Sequence, residues 1–265
     1  MKKIVLTPPL QAPTVIATNI KALPEFLRLK YGAYVSDGTP FDREDIRILE
    51  EGGVCSFATK EKTYTTKAPL TELDRYLFEY PTYASSVLAL HGAAVEWQGE
   101  AYLFLAATTS GKTTLTSYLT SHGFGYLTDD CILLDRSTFL VYPYTTPIQL
   151  RQGGLEVLRR YQAVPEHLER LEENGEVLRW VYTPKSSVVQ AVPLKRIFFL
   201  ERNEDENHLI DLNATQRITA LMKSPITNYP LSGDYLRLLA RLAKIDCHTL
   251  RYCDMEYVKE LILHG

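Results

Sequence analysis

The segment from Ala101 to Leu119, AYLFLAATTSGKTTLTSYL, sets Gly111, Lys112 and Thr113 in succession between an apolar run and a helical period. It departs from the pattern GxxxxGK[ST] at one position, where Ala106 stands for the first glycine. Such a segment suits phosphate: backbone N–H groups turned inward, a glycine that lets the chain approach the anion, and a helix N-terminus facing it. Ala107, Thr108, Thr109, Ser110, Gly111, Lys112, Thr113 and Thr114 are the candidate phosphate-binding residues. In this reading Lys112 reaches the β- and γ-phosphates of a nucleotide, and the Thr113 hydroxyl ligates Mg²⁺. The hydroxyls of Thr108, Thr109 and Ser110 offer further donors. The plain alternative is an ordinary turn. Alanine at position 106 is costly only if that position requires positive φ.

Asp129 and Asp130 follow the helical period and precede an apolar run. A hydroxyl is a poor nucleophile until a carboxylate accepts its proton, and a second carboxylate is a natural hard-oxygen ligand for Mg²⁺. Adjacent aspartates supply both functions; the alternative is a pair of carboxylates solvating a turn.

The elements that must position these residues follow from the apolar pattern. Ser86 to Val95, Ala101 to Ala106 and Ile132 to Leu134 are short, dense apolar runs that read as central strands, with a helix over Thr114 to His122. Strand, loop, helix, strand is the order from which a parallel α/β sheet is built. Further on, Leu155 to Tyr161 and His167 to Glu173 read as helices and Arg196 to Glu201 as a buried strand. Asn213 reads as the N-cap of a helix to Met222, and another helix starts at Asp234 and continues to Lys244. A strand over Cys247 to Tyr252 and a helix over Asp254 to Leu263 close the chain. Residues 1–80 form a small, mostly β region, with extended candidates at Lys3 to Leu6, Val15 to Thr18, Val54 to Ala58 and Tyr64 to Lys67. Leu70, Leu73, Tyr76 and Leu77 share one face of a helix over Leu70 to Glu79. The boundary divides residues 1–80 from 81–265.

Bulk properties exclude several partners. A net charge of -3 over 265 residues creates no basic field to attract nucleic acid or an acidic membrane surface. Prolines interrupt the apolar run after the opening MKK, and no stretch approaches the roughly 20 apolar residues of a membrane span. The four scattered cysteines lack CxxC spacing, which suits reduced thiols in the cytoplasm. Self-association into a homo-oligomer is compatible with the sequence.

The stretch LHGAAVEWQGEAYLFLAATTSGKTTLTSYLTSHGFGYLTDD resembles the catalytic core of HPr kinase/phosphorylase and its relatives. The shared order is an HG dipeptide on a strand (His91-Gly92), a second strand running into the phosphate loop, a helix ending in an HG-like step (His122-Gly123), and a paired aspartate (Asp129-Asp130). The resemblance spans roughly 40 residues, extends more loosely to the C-terminus and does not cover residues 1–80. It implies an α/β fold with a P-loop core of the HPr-kinase/PEP-carboxykinase-like type, a mixed sheet flanked by helices. It also implies ATP with Mg²⁺ as the cofactors and a Ser or Thr hydroxyl of a peptide or protein as the acceptor. Asp129 is then the base and Asp130 lies near the metal, while His91 contacts the phosphate or the bound substrate, unless it is a hydrogen-bonded core histidine.

The departures are specific. Thr114 stands where the full kinase/phosphorylases carry a glutamate, and Gln149-Leu150-Arg151-Gln152 stands where they carry Glu-x-Arg-Gly. A metal-ligating carboxylate is thereby missing, which makes the pattern closer to the shorter HPr-kinase-like proteins associated with ribosomally made peptides. Arg151 is the retained cation, suited to the oxygens of a transferring phosphoryl group or else to capping a surface loop. Glu201, leaving a buried strand at its C-terminal end, is a candidate replacement carboxylate. The acidic stretch Glu201 to Glu206 reads as a solvated hairpin loop. Cys247, His248 and Cys253 lack a fourth ligand at zinc-like spacing. Small-molecule kinase and non-catalytic nucleotide-binding module are the competing functional readings.

Overall fold

The computed structural model describes residues 1–37, 42–79, 86–173, 176–202, 205–226 and 232–265. The chain divides into two compact units, Met1–Ala84 and Ser85–Gly265.

In the first unit, strands β1 (Lys2–Leu6), β2 (Thr14–Thr18), β3 (Val35–Asp37), β4 (Ile46–Glu51), β5 (Val54–Thr59) and β6 (Thr63–Thr66) form a sheet of order β3-β1-β2-β4-β5-β6. Only the β2–β4 pair is parallel, and the crossover between those strands carries helix α1 (Leu23–Tyr31). Helix α2 (Pro69–Glu79) buries Leu73 and Leu77, two of the residues that the helical period places on one face.

The second unit opens with β7 (Val87–Trp97), β8 (Glu100–Leu105), α3 (Lys112–Ser121), β9 (Gly125–Thr128) and β10 (Cys131–Asp135). It continues through β11 (Leu140–Tyr142), β12 (Ile148–Leu150), α4 (Gln152–Arg160), β13 (Glu169–Glu173) and β14 (Glu176–Tyr182). It ends with β15 (Val192–Arg202), β16 (His208–Asp211), α5 (Ala214–Met222), α6 (Gly233–Leu242), β17 (Asp246–Tyr252) and α7 (Met255–His264). The main sheet has the order β11-β10-β7-β8-β15-β17-β16, with β9 also on β7 and the start of β15 also paired to β11. Strands β8, β15 and β17 are parallel, whereas β7 is antiparallel to both β8 and β10.

This is a mixed α/β fold, its mixed sheet flanked by helices. Alternation along the strands divides the core. Tyr102, Phe104, Phe198, Leu200 and Leu250 pack toward α3, α4 and α7. Leu103, Leu105, Ile197 and Cys247 pack toward α5 and α6.

Three local expectations change. The run Ile132 to Leu134, in β10, is not a parallel neighbour of β8: β7 sits between β8 and β10, so those two share a direction without sharing hydrogen bonds. His167 to Glu173 does not form a helix; Glu169–Glu173 is strand β13, antiparallel to β14 in a three-stranded sheet of order β12-β14-β13. Pairing with Val177, Arg179, Trp180 and Val181 overrides the helical propensity of a Glu- and Leu-rich segment. The acidic stretch after β15 does not turn a hairpin, because β16 pairs with β17 and not with β15; Asn203 and Glu204 lie outside the described residues.

Candidate functional site

Strand β8 delivers Ala106 to Ser110 at its C-terminal end, and Gly111 turns the chain into α3 with φ 91° and ψ 7°. A side chain at Gly111 would be strained there, and its Cβ would lie 3.1 Å from the Tyr252 hydroxyl. No side chain caps α3, and its first helical bond runs from the Leu115 N–H to the Gly111 carbonyl at 2.9 Å. The N–H groups of Lys112, Thr113 and Thr114 therefore have no acceptor inside the helix, the condition under which a helix N-terminus holds an anion.

Ala106 does not take positive φ; Thr109 does, at 69°. The substitution of the first glycine therefore costs the backbone nothing, and the strain lies three residues later, on a β-branched residue. Two of the loop hydroxyls are turned inward. Thr109 donates to the Thr108 carbonyl at 2.5 Å and Ser110 to the Ala107 carbonyl at 2.7 Å, so these side chains shape the loop with protons expected to face a ligand. Lys112 is 6% exposed, and its ammonium donates to the carbonyls of Ala106 and Ala107, both at 2.9 Å.

The paired aspartates sit where the partner of β7 changes from β9 to β10. Ala94 faces Thr128 and His91 faces Cys131. The buried Thr128 hydroxyl donates across the pair to the Cys131 carbonyl at 2.9 Å, which fixes Asp129 and Asp130 as a tight irregularity between two strands. Its consequence is opposite fates for the two carboxylates: Asp129 is 4% exposed and Asp130 is exposed. One Asp129 oxygen, Oδ1, is buried without a hydrogen-bond partner. Burial and the neighbouring Asp130 push the Asp129 carboxyl up to about 8, against the opposing pull of a hydrogen bond from Thr113 and of the Lys112 charge. Burial lowers the Lys112 ammonium, with Asp129 and Asp130 opposing the shift.

His91 joins the same group. Its Nδ1 lies 3.2 Å from the Asp130 carbonyl, and burial, then the Lys112 charge, lower its pKa below the ordinary 6.5. Gly92 beside it leaves no room for a side chain: a Cβ there would lie 2.7 Å from both the Phe104 carbonyl oxygen and Leu105 Cδ2. The HG dipeptide thus combines a polar ring on the site with the close strand approach that puts it there.

His91, Lys112, Thr113, Asp129 and Asp130 are brought together. Arg151 is the N-cap of α4, exposed, with no side-chain capping bond. The first turn of α4 packs on that of α3: a Cβ on Gly154 would lie 2.9 Å from Thr114 Oγ1. The position that carries Thr114 is thus a helix contact. Gln149 lies on β12, paired with Val181. Glu201 is held by Arg251 at 2.8 Å.

Sequence reasoning did not single out Thr128, Tyr182 or Tyr252. Tyr182, pushed up to about 12 by burial, with Ser117 and Thr120 of α3 opposing the shift, lies close enough to Asp129 to feel its charge. None of the three belongs to a motif: Tyr182 and Tyr252 meet the loop and α3 from far along the chain, and Thr128 bonds only the backbone of its own turn. His248 sits between Asp246 and Asp211, its ring nitrogens 2.6 and 3.0 Å from their carboxylates. Among the described residues no cluster of three or more His, Cys, Asp or Glu is placed to hold a metal ion, and no helix is long and apolar enough to cross a membrane.

A cavity of about 650 Å³ opens beside the loop, lined by residues of β7, β8, β15, β17 and α5 together with Ala106, Ala107 and Thr108.

No protein-family model and no curated protein matches the sequence. Among solved structures, the chain is similar to the HPr(Ser) kinase/phosphatase from Coxiella burnetii, with 12% identity over 66% of this chain and 90% of that one and a TM-score of 0.31. At that level of likeness, the roles of individual residues rest on this chain's own geometry.

Proposed function

We propose that this chain is an HPr-kinase-like phosphotransferase that uses ATP and Mg²⁺ to phosphorylate a Ser or Thr hydroxyl of a peptide or protein. The observation that carries the reading is the buried Asp129 with its unpartnered Oδ1, set against Lys112 and Thr113 at the head of an uncapped helix. A buried carboxylate oxygen without a partner is costly. Unpaired N–H donors fit an anion, and an unpartnered carboxylate oxygen near a threonine hydroxyl fits a hard cation or an acceptor's proton.

In this reading the N–H groups at the start of α3, with Lys112, hold the β- and γ-phosphates, while Thr113 and Asp130 hold Mg²⁺. When bound, Mg-ATP supplies the phosphoryl group: the bond from the γ-phosphorus to its bridging oxygen breaks, the bond to the acceptor oxygen forms, and ADP leaves. Asp129 takes the proton of the acceptor hydroxyl at its carboxylate. With its pKa pushed up to about 8, that carboxylate accepts protons readily once ionised, and a neighbouring positive charge favours the ionised form. Arg151, at the head of α4, is the cation proposed for the phosphoryl oxygens.

The test incubates the protein with ATP, Mg²⁺ and pooled Ser- and Thr-containing peptides and reads intact mass. A phosphorylated peptide that disappears with Asp129→Asn supports the reading. Tight, Lys112-dependent nucleotide binding without transfer to any acceptor refutes it in favour of a regulatory module.

A further inference from the structure

The cavity beside the loop lies at the C-terminal ends of the parallel strands β8 and β15, where Leu105, Phe199, Leu200 and Glu201 form its floor. One wall is the face of α5 that carries Thr215, Gln216, Thr219, Ala220 and Lys223. That helix is anchored at both ends. Asn213 and Gln216 form a reciprocal capping box at its start. After its end, the Ser224 carbonyl accepts the main-chain N–H of His91 at 2.7 Å, and the Ile226 N–H donates to Ala89 at 3.1 Å. The opposite wall is His91 itself, with Ala106 to Thr108.

Two features identify the occupant. The first is position. A triphosphate chain separates a nucleoside from its reacting phosphorus, so only the acceptor must sit beside the residues that handle the transferred group. This cavity meets the site through His91, whose ring is bonded to the backbone of Asp130. The second is charge. Among the lining residues, the Glu201 carboxylate is matched by Arg251. His91 keeps its ring on the Asp130 carbonyl. Lys223 is exposed and has no ion-pair partner among the described residues. The remaining lining is apolar or neutral and polar, so the cavity carries an uncompensated positive charge at α5. A volume of about 650 Å³ lies within the range of ligand clefts and suits a few residues of chain, not the face of a folded protein.

We infer that this cavity is the acceptor pocket, and that it takes a short peptide segment whose Ser or Thr is flanked by an acidic side chain paired with Lys223. This rests on the phosphotransfer reading and specifies its substrate.

The test uses short fluorescein-labelled peptides with a central Ser flanked by Glu, Ala or Lys, measured by anisotropy without nucleotide and by phosphorylation with ATP and Mg²⁺. The Glu-flanked peptide is expected to bind about tenfold tighter than the Ala-flanked one, and Lys223→Glu to transfer the preference to the Lys-flanked peptide. Thr219→Trp, on an exposed face of α5, is expected to weaken peptide binding about tenfold or more while the Kd for ATP stays unchanged. An unaltered melting temperature shows that both variants are folded. No preference for the acidic peptide, or a preference unaffected by Lys223→Glu, overturns the inference. Loss of ATP binding in Thr219→Trp assigns the cavity to the nucleotide and overturns it too. Phosphorylation of free hydroxy acids but of no peptide removes the peptide occupant and leaves phosphotransfer standing. Lys223-dependent binding of the acidic peptide with no transfer to any acceptor supports the pocket and refutes the phosphotransfer reading.

Discussion

His91 Nδ1 lies 3.2 Å from the main-chain oxygen of Asp130, and the Gly92 N–H approaches the same oxygen at 3.3 Å. A carbonyl only accepts, so Nδ1 carries the proton in this bond and Nε2 is the basic nitrogen of the neutral ring. The tautomer is therefore set by the backbone of the residue proposed to lie near the metal. His91→Ala is expected to lower the free energy of unfolding by about 1 kcal/mol, the worth of one hydrogen bond, in urea titrations at neutral pH. His91→Asn, whose amide can donate to the same carbonyl, is expected to lose less. Equal stability of the alanine variant and the wild type would show that the ring does not brace the aspartate pair.

Asp129 makes stability depend on pH in a defined direction. Its folded pKa is raised from an ordinary 3.8 to about 8, so between those values the folded chain holds a proton that the unfolded chain has released. Unfolding then releases that proton, and the Asp129 contribution to stability falls as pH rises across this window. Asp129→Asn, which cannot ionise, is expected to gain melting temperature over the wild type as pH is raised from 5 to about 8.5. A constant difference across that range would show that the carboxylate is not desolvated.

The same substitution is expected to lower kcat for phosphotransfer by about 10² to 10⁴-fold, the usual worth of a general base. In the wild type, kcat/KM is expected to rise with pH through an apparent pKa near the Asp129 value of about 8. A flat profile would move the proton acceptor elsewhere.

Lys112 has two structural partners, the carbonyls of Ala106 and Ala107, in addition to its proposed phosphate contact. Lys112→Met is expected to weaken ATP binding by about 10- to 100-fold, which corresponds to one or two charge-assisted hydrogen bonds. Arginine is not expected to rescue it, because the buried site accommodates a compact ammonium and not a planar fork. Retention of wild-type affinity by either variant, measured calorimetrically, would displace the phosphates from this loop.

Gly92 and Gly153 make opposite forecasts. A Cβ at Gly92 meets the Phe104 main-chain oxygen at 2.7 Å, so Gly92→Ala is expected to cost about 1–3 kcal/mol. Gly153, in the first turn of α4, has open space around its Cβ and no positive φ, so Gly153→Ala is expected to stabilise by about 0.4–1 kcal/mol. Urea midpoints for the two variants check both signs.

Much of this molecule was legible in local pattern. The strands around the loop, helix α3, the Asn213 cap and the closing strand and helix announce themselves through apolar period and end signals, which are properties of neighbouring residues. The loop and the aspartate pair are equally local, so their residue types already point to phosphate and cation chemistry.

Strand pairing is not local. Whether β10 lies beside β8 or across β7, and whether Glu169–Glu173 coils or pairs, depends on partners far along the chain. The same holds for the chemistry within the pair. Two adjacent aspartates are identical in type, and only the pairing of β9 and β10 on β7, beside Lys112, buries one and leaves the other exposed. A residue's type determines which proton it can carry, but the difference between Asp129 and Asp130 comes from desolvation and neighbouring charge, which exist only once the chain has folded.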